Sequence, residues 1–158
     1  MTRHVYFSFH YERDSWRVNQ VRNAWVTKDR DARGYIDSAQ WEEIRRSGEQ
    51  AIKSWIAREL IHTSVTAVLI GYETASRPWV QYEIIESAKR GNGLLGIRLD
   101  GLKDQNQMQD PPGQNPFDLL TYNGRPLSSF YRTYDWIRDN GYSNIGNWVE
   151  NAAKAAGR

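Results

Sequence analysis

The run Val65-Thr66-Ala67-Val68-Leu69-Ile70 constrains this chain more than any other stretch. A strand with one wet face alternates apolar and polar residues, whereas this one is apolar almost throughout. Both its faces must be covered, which is the property of a central strand in a parallel sheet flanked by helices. Other segments fit around it. Val5 to Phe9 reads as a first strand, Ala24 to Thr27 as a second, Leu94 to Leu99 as a fourth and Phe130 to Ile137 as an edge strand. Between them, 14–22 suits a short helix, and Ser38 caps a helix carrying Trp41 and Ile44 that Gly48 breaks. Ile52, Trp55, Ile56 and Leu60 recur at helical spacing, Ser76 caps a helix with Pro78 in its first turn, and Gly141 precedes a last amphipathic helix. Strands alternating with helices at this rhythm predict an α/β fold: a mostly parallel five-stranded sheet with helices on both faces.

The chain, 1–158, reads as one domain, with a long irregular loop at about 101–129 rich in Gln, Asn, Asp, Pro and Gly. Its formal charge of +2 is scattered, so no phosphate-tracking stripe and no nucleic-acid partner are expected. The absence of cysteine removes disulfides, thiolate metal sites and Cys nucleophiles together. The N-terminus has no signal-peptide pattern, and no stretch approaches the roughly 20 apolar residues of a membrane span. A soluble cytoplasmic protein without a membrane partner is the expectation. Seven Trp and nine Tyr exceed what a core of this size needs, so some are expected to line a surface or pocket.

Among candidate functional residues, Glu83 stands out on Ser76-Arg77-Pro78-Trp79-Val80-Gln81-Tyr82-Glu83-Ile84, a helix start after the buried strand. Its helical neighbours at three and four residues are Trp79, Val80, Glu86 and Ser87, none of them a cation. Glu86 has Lys89 and Arg90 at the same spacings and reads as a solvated carboxylate. Gly91-Asn92-Gly93-Leu94-Leu95-Gly96 matches the three-glycine dinucleotide pattern in letters alone. That pattern needs a strand before it and a helix after it, and here the order is reversed, so Gly91 reads as a helix cap and Gly93 as a turn. His4, His10 and His62 lack metal-ligand spacing, and no metal site is expected. Ser8 lacks the strand-turn-helix elbow of a nucleophilic serine. His10 ends the first strand, and with strand order 2-1-3-4-5 a ligand crevice is expected between that strand and Val65–Ile70, with Glu83 facing it.

At these residues the chain resembles a known family. Val5-Tyr6-Phe7-Ser8-Phe9-His10-Tyr11, Tyr35-Ile36-Asp37, Thr63 through Gly71 and Trp79-Val80-Gln81-Tyr82-Glu83-Ile84 resemble the TIR-like domains of bacteria and archaea, most closely the TIR-like subunit of Thoeris antiphage systems. The likeness covers roughly 3–100 and resumes from Tyr134 to Trp148. It implies a flavodoxin-like sheet and NAD⁺ as substrate rather than as cofactor, no other cofactor being implied. It further implies a cyclic ADP-ribose-type signal in antiphage defence that reaches a separate effector, and self-association on activation. By the same resemblance Glu83 is the catalytic carboxylate, and Phe9, His10, Asp37, Trp41 and Trp79 surround the substrate. The alternative is a non-catalytic adaptor of the same fold that serves protein association. A phosphoacceptor domain would need an Asp after the third strand, where Ile70-Gly71-Tyr72 stands.

Overall fold

The computed structural model describes residues 3–27, 30–36 and 38–158, with Ser38 described in its backbone only. Five strands form one parallel sheet: β1 (His4–Ser8), β2 (Asp31–Arg33), β3 (Val65–Ile70), β4 (Gly93–Arg98) and, late in the chain, β7 (Thr133–Asp135). Their order is β2-β1-β3-β4-β7, every neighbouring pair parallel. All six residues of β3 are buried, as the apolar run requires. The helices are α1 (Ser15–Val26), α2 (Ser38–Arg46), α3 (Glu49–Leu60), α4 (Pro78–Lys89), the short α5 (Pro116–Leu119) and α6 (Gly141–Ala155). Among the described residues, no helix is long and apolar enough to cross a membrane.

Period-two alternation sorts the sheet between its two helical layers. Val68 and Ile70 of β3 pack with Val80 and Ile84 of α4. Val65, Ala67 and Leu69 join Val18 and Val21 of α1 and Ile145 and Val149 of α6 in the larger cluster. Two polar contacts fix the register of α4 on the sheet. The Thr66 and Ser87 hydroxyls lie 2.7 Å apart, and the Asn92 amide donates to Thr63 at 3.0 Å.

Three local expectations are corrected. Residues 24–27 are not a strand: Ala24, Trp25 and Val26 finish α1, where Val18, Val21 and Trp25 make one buried face. Trp25 is β-prone in isolation, but its indole N–H donates to the Asp31 carbonyl at 2.8 Å and so ties the helix to the true second strand. That strand is only three residues long, with the charged Asp31 and Arg33 on either side of Ala32, which an edge position tolerates because its ladder is made by backbone groups. Ser76 is not the cap of α4; it closes a 3₁₀ turn, its hydroxyl donating to the Glu73 carbonyl at 2.9 Å, and Arg77 is the N-cap residue. The edge strand expected across 130–137 narrows to Thr133–Asp135.

The segment after β4 carries α5 and a two-residue pair, β5 (Thr121–Tyr122) with β6 (Arg125–Pro126), antiparallel to each other. Its first part is bound down by arginines: Arg13 to the Asp110 carboxylate at 2.6 and 3.1 Å, Arg17 to the Leu102 and Met108 carbonyls at 2.9 Å each, and Arg98 to the Gly113 carbonyl at 2.7 Å.

Of the three-glycine stretch, Gly91 has the capping role its context indicates, whereas Gly93 is the first residue of β4 and not part of the turn. Gly91 sits at φ 82° after α4, with Asn92 N–H donating to the Ser87 carbonyl and Gly91 N–H to the Ala88 carbonyl, each at 3.1 Å. This is a Schellman end. Gly93 opens β4 where α6 crosses so closely that a Cβ would lie 2.3 Å from the Ala152 carbonyl oxygen. Gly93→Ala is therefore expected to cost about 2–3 kcal/mol in urea unfolding, whereas Gly48→Ala, with nothing within 4 Å, pays only for its left-handed backbone.

Candidate active site

Tyr6 and Ser8 stand two residues apart on β1, so both point to the same face of the sheet, toward α4. Both hydroxyls donate to the Glu83 carboxylate: Tyr6 to one oxygen, and Ser8 to the other at 2.7 Å. Glu83 is 1% exposed and has no ion pair among the described residues. Burial pushes its pKa up to about 8 from an ordinary 4.5, and the Tyr6 and Ser8 hydroxyls, with a smaller pull from Tyr11, hold it from rising further. Burial and the neighbouring carboxylate together raise the Tyr6 phenol well above its ordinary value, so it stays a donor. Tyr11, alongside, donates to the Gly34 carbonyl at 2.7 Å.

Next to this buried group lies a cleft of about 230 Å³ lined by Phe9, His10, Trp41, Arg77 and Trp79 among others. Its aromatic wall is continuous: Phe9 meets Tyr11 at 4.4 Å between ring centres, and Tyr11 stacks on Trp41 at 4.5 Å. His10 is buried, and desolvation followed by the Arg77 charge lowers its pKa, which favours the neutral imidazole near pH 7. Arg45, at the mouth, pairs with Glu12 at 3.0 Å, whereas Arg77 has no ion pair among the described residues.

The fold thus gathers Phe9, His10, Trp41 and Trp79 around one cleft. Glu83 is not among the residues lining it, which corrects the expectation that its side chain faces the crevice. It lies one helical turn past Trp79 and Val80, turned toward β1. Asp37 lies outside the described residues. The two hydrogen-bond partners of Glu83, Tyr6 and Ser8, escaped the sequence reading, and a signal existed for them: two hydroxyl residues at strand spacing inside a buried strand need polar partners.

The family model for the Thoeris protein ThsB, TIR-like domain, matches residues 6–104. The chain belongs to the Thoeris ThsB TIR-like family. A relative in Bacillus cereus (strain MSX-D12), named "Putative cyclic ADP-D-ribose synthase ThsB1", is 36% identical over 94% of this chain and 100% of its own length. The ThsB match runs from Tyr6, inside β1, through α4 and β4, so it includes the Tyr6, Ser8 and Glu83 cluster and the whole cleft.

A buried carboxylate with a raised pKa has a defined effect on stability. The native state keeps the Glu83 proton between pH 4.5 and about 8, while the unfolded chain has lost it. The contribution of this group is therefore greatest below 4.5 and is lost as pH rises to about 8. Glu83→Gln, which removes the titration, is expected to gain stability over the parent by up to about 1.4 kcal/mol per pH unit across that window. Above it the difference is constant. Urea unfolding of both proteins at several pH values checks this.

Proposed function

We propose that this ThsB-family chain cleaves NAD⁺ between nicotinamide and ribose and closes the remaining ADP-ribose into a cyclic signal for a separate effector in antiphage defence, with Glu83 as the catalytic carboxylate. The observation that carries the proposal is a buried carboxylate without a counter-cation, held by two hydroxyls behind an aromatic cleft. The name of its relative, "Putative cyclic ADP-D-ribose synthase ThsB1", supports the product class.

The chemistry needs little beyond these groups. Nicotinamide takes the electron pair of the glycosidic bond and leaves as a neutral ring, so no strong general acid is required, unlike glycoside cleavage with its paired carboxylates. Positive charge grows on the ribose as the bond opens, and an ionised Glu83 stabilises it. A nucleophilic atom elsewhere on the same ADP-ribose then bonds to the anomeric carbon and sheds its proton where it carried one. Aromatic walls formed by Phe9, Trp41 and Trp79 stack on the bases and exclude water, which favours ring closure over hydrolysis. Arg77 at the cleft mouth is the cation for the pyrophosphate.

The cleft volume of about 230 Å³ is below the roughly 300–1,000 Å³ of pockets that enclose drug-sized ligands. Turnover therefore requires the wall around Trp79 to part, in a step supplied by an infection trigger and self-association of the chain. The same enclosed Glu83 favours a second reading, a non-catalytic adaptor in which the carboxylate only pins α4 to β1.

Purified protein incubated with NAD⁺, with and without lysate of phage-infected cells, separates the readings by nicotinamide release and cyclic products. In the enzyme reading Glu83→Gln loses about 10²–10³-fold of the triggered rate. Equal turnover by the mutant removes Glu83 from catalysis, and silence under every trigger favours the adaptor. Because the working form is ionised, the triggered rate is expected to rise with pH toward about 8. The Tyr6 bond lowers the Glu83 pKa, so Tyr6→Phe is expected to move that rising limb to higher pH.

A further inference from the structure

A second cavity, larger than the Glu83 cleft, lies away from it and shares no lining residue with it. It holds about 870 Å³ at the start of β4, between α4, α6 and the segment that leads into β7. Leu94, Leu127, Tyr131, Trp148 and Ala152 make its walls mostly apolar. Two further features specify what it can hold.

The first is an open position in the sheet. Gly93 N–H donates to the Ser64 carbonyl and Leu99 N–H to the Ile70 carbonyl, each at 2.9 Å, so the odd residues of β4 face β3. Gly96 N–H donates to the Arg132 carbonyl at 2.9 Å and Arg98 accepts from Trp136 N–H at 3.1 Å, so the even residues face β7. The β7 pairing begins only at Gly96. Leu94 therefore directs its N–H and C=O away from β3 into a position that no strand fills, and neither group has a backbone partner among the described residues. Yet Leu94 is only 2% exposed. Backbone groups so enclosed are nearly always paired.

The second feature is charge. The lining includes Lys89 and Arg132 but no Asp or Glu. Lys89 meets Glu86 at 3.4 Å, whereas the Arg132 side chain has no ion pair among the described residues.

We propose that this cavity binds a small N-acyl amino acid. Its amide N–H donates to the Leu94 carbonyl and one carboxylate oxygen accepts from the Leu94 N–H, the two bonds that an antiparallel strand residue would make. The second carboxylate oxygen meets Arg132, and the acyl chain and an apolar side chain fill the space beside Tyr131 and Trp148. No bond is made or broken, and the site is independent of NAD⁺ cleavage.

Calorimetry with N-octanoyl-L-phenylalanine tests the assignment, beside its methyl ester, which loses the anionic charge, and N-octanoyl-N-methyl-L-phenylalanine, which keeps the carboxylate and loses the donor. The parent probe is expected to bind one to one, with both analogues weaker by about tenfold. Arg132→Ala is expected to weaken the parent probe by about tenfold and to leave the ester unchanged, while Ala155→Trp blocks the cavity. Affinity is expected to be the same with and without NAD⁺ and in Glu83→Gln. Absence of binding, equal affinity for all three compounds, or indifference to both substitutions overturns the proposal. So does a stable dimer in sedimentation that excludes the probe, since the cavity is then a contact between copies.

Discussion

A carboxylate taken out of water must be given a cation, a set of neutral donors or a proton, and Glu83 is given the last two. No ion pair reaches it among the described residues, so its state is set by burial on one side and the Tyr6 and Ser8 hydroxyls on the other. Desolvation is the larger influence, and the balance falls near pH 8, where the group gains and loses its proton close to neutrality. That balance depends on geometry. The two hydroxyls share a face only because β1 is a regular strand, and Glu83 meets them only because α4 packs over β1 and β3 in one register. The register is fixed at the far end of the helix by the Thr66–Ser87 contact and the Schellman end at Gly91.

Helix α4 consequently serves two regions. Its N-terminal turn, with Arg77 and Trp79, borders the aromatic cleft, and its C-terminal turns, with Ala88 and Lys89, border the larger cavity. The segment after β4 is divided in the same way. Arginines from α1, the turn before it and β4 hold its first part through Asp110 and three carbonyls, and its second part supplies Leu127, Phe130 and Tyr131 to the cavity wall. A stretch that reads in composition as irregular loop thus builds one side of a pocket, because its few apolar residues bury against β4 and α5 while its polar majority stays outside.

Much of the architecture was legible in the residues. The continuous apolar run of β3 announced a covered central strand, and the order of helices around it followed. The reversed context of the three glycines correctly removed a dinucleotide loop. The three-residue β2 was not legible, because an edge strand pairs through backbone groups common to all residues, whereas Trp25 carries a strong but misleading local preference. Ser76 failed as a cap for a related reason: its hydroxyl had a nearer carbonyl, that of Glu73, inside the preceding turn.

The sequence by itself determined the parallel α/β class with β3 at its centre, the family likeness and the choice of Glu83 over Glu86, since periodicity and spacing are properties of the chain alone. Tertiary structure decided what surrounds Glu83. Tyr6 and Ser8 stand 77 and 75 residues from it, and only packing of α4 on β1 turns a carboxylate without a helical partner into one that is buried, hydroxyl-bound and set behind the cleft. The open position beside Leu94 has the same origin: β4 and β7 have unequal lengths and are far apart in sequence, so the unpaired backbone exists only once the sheet is assembled.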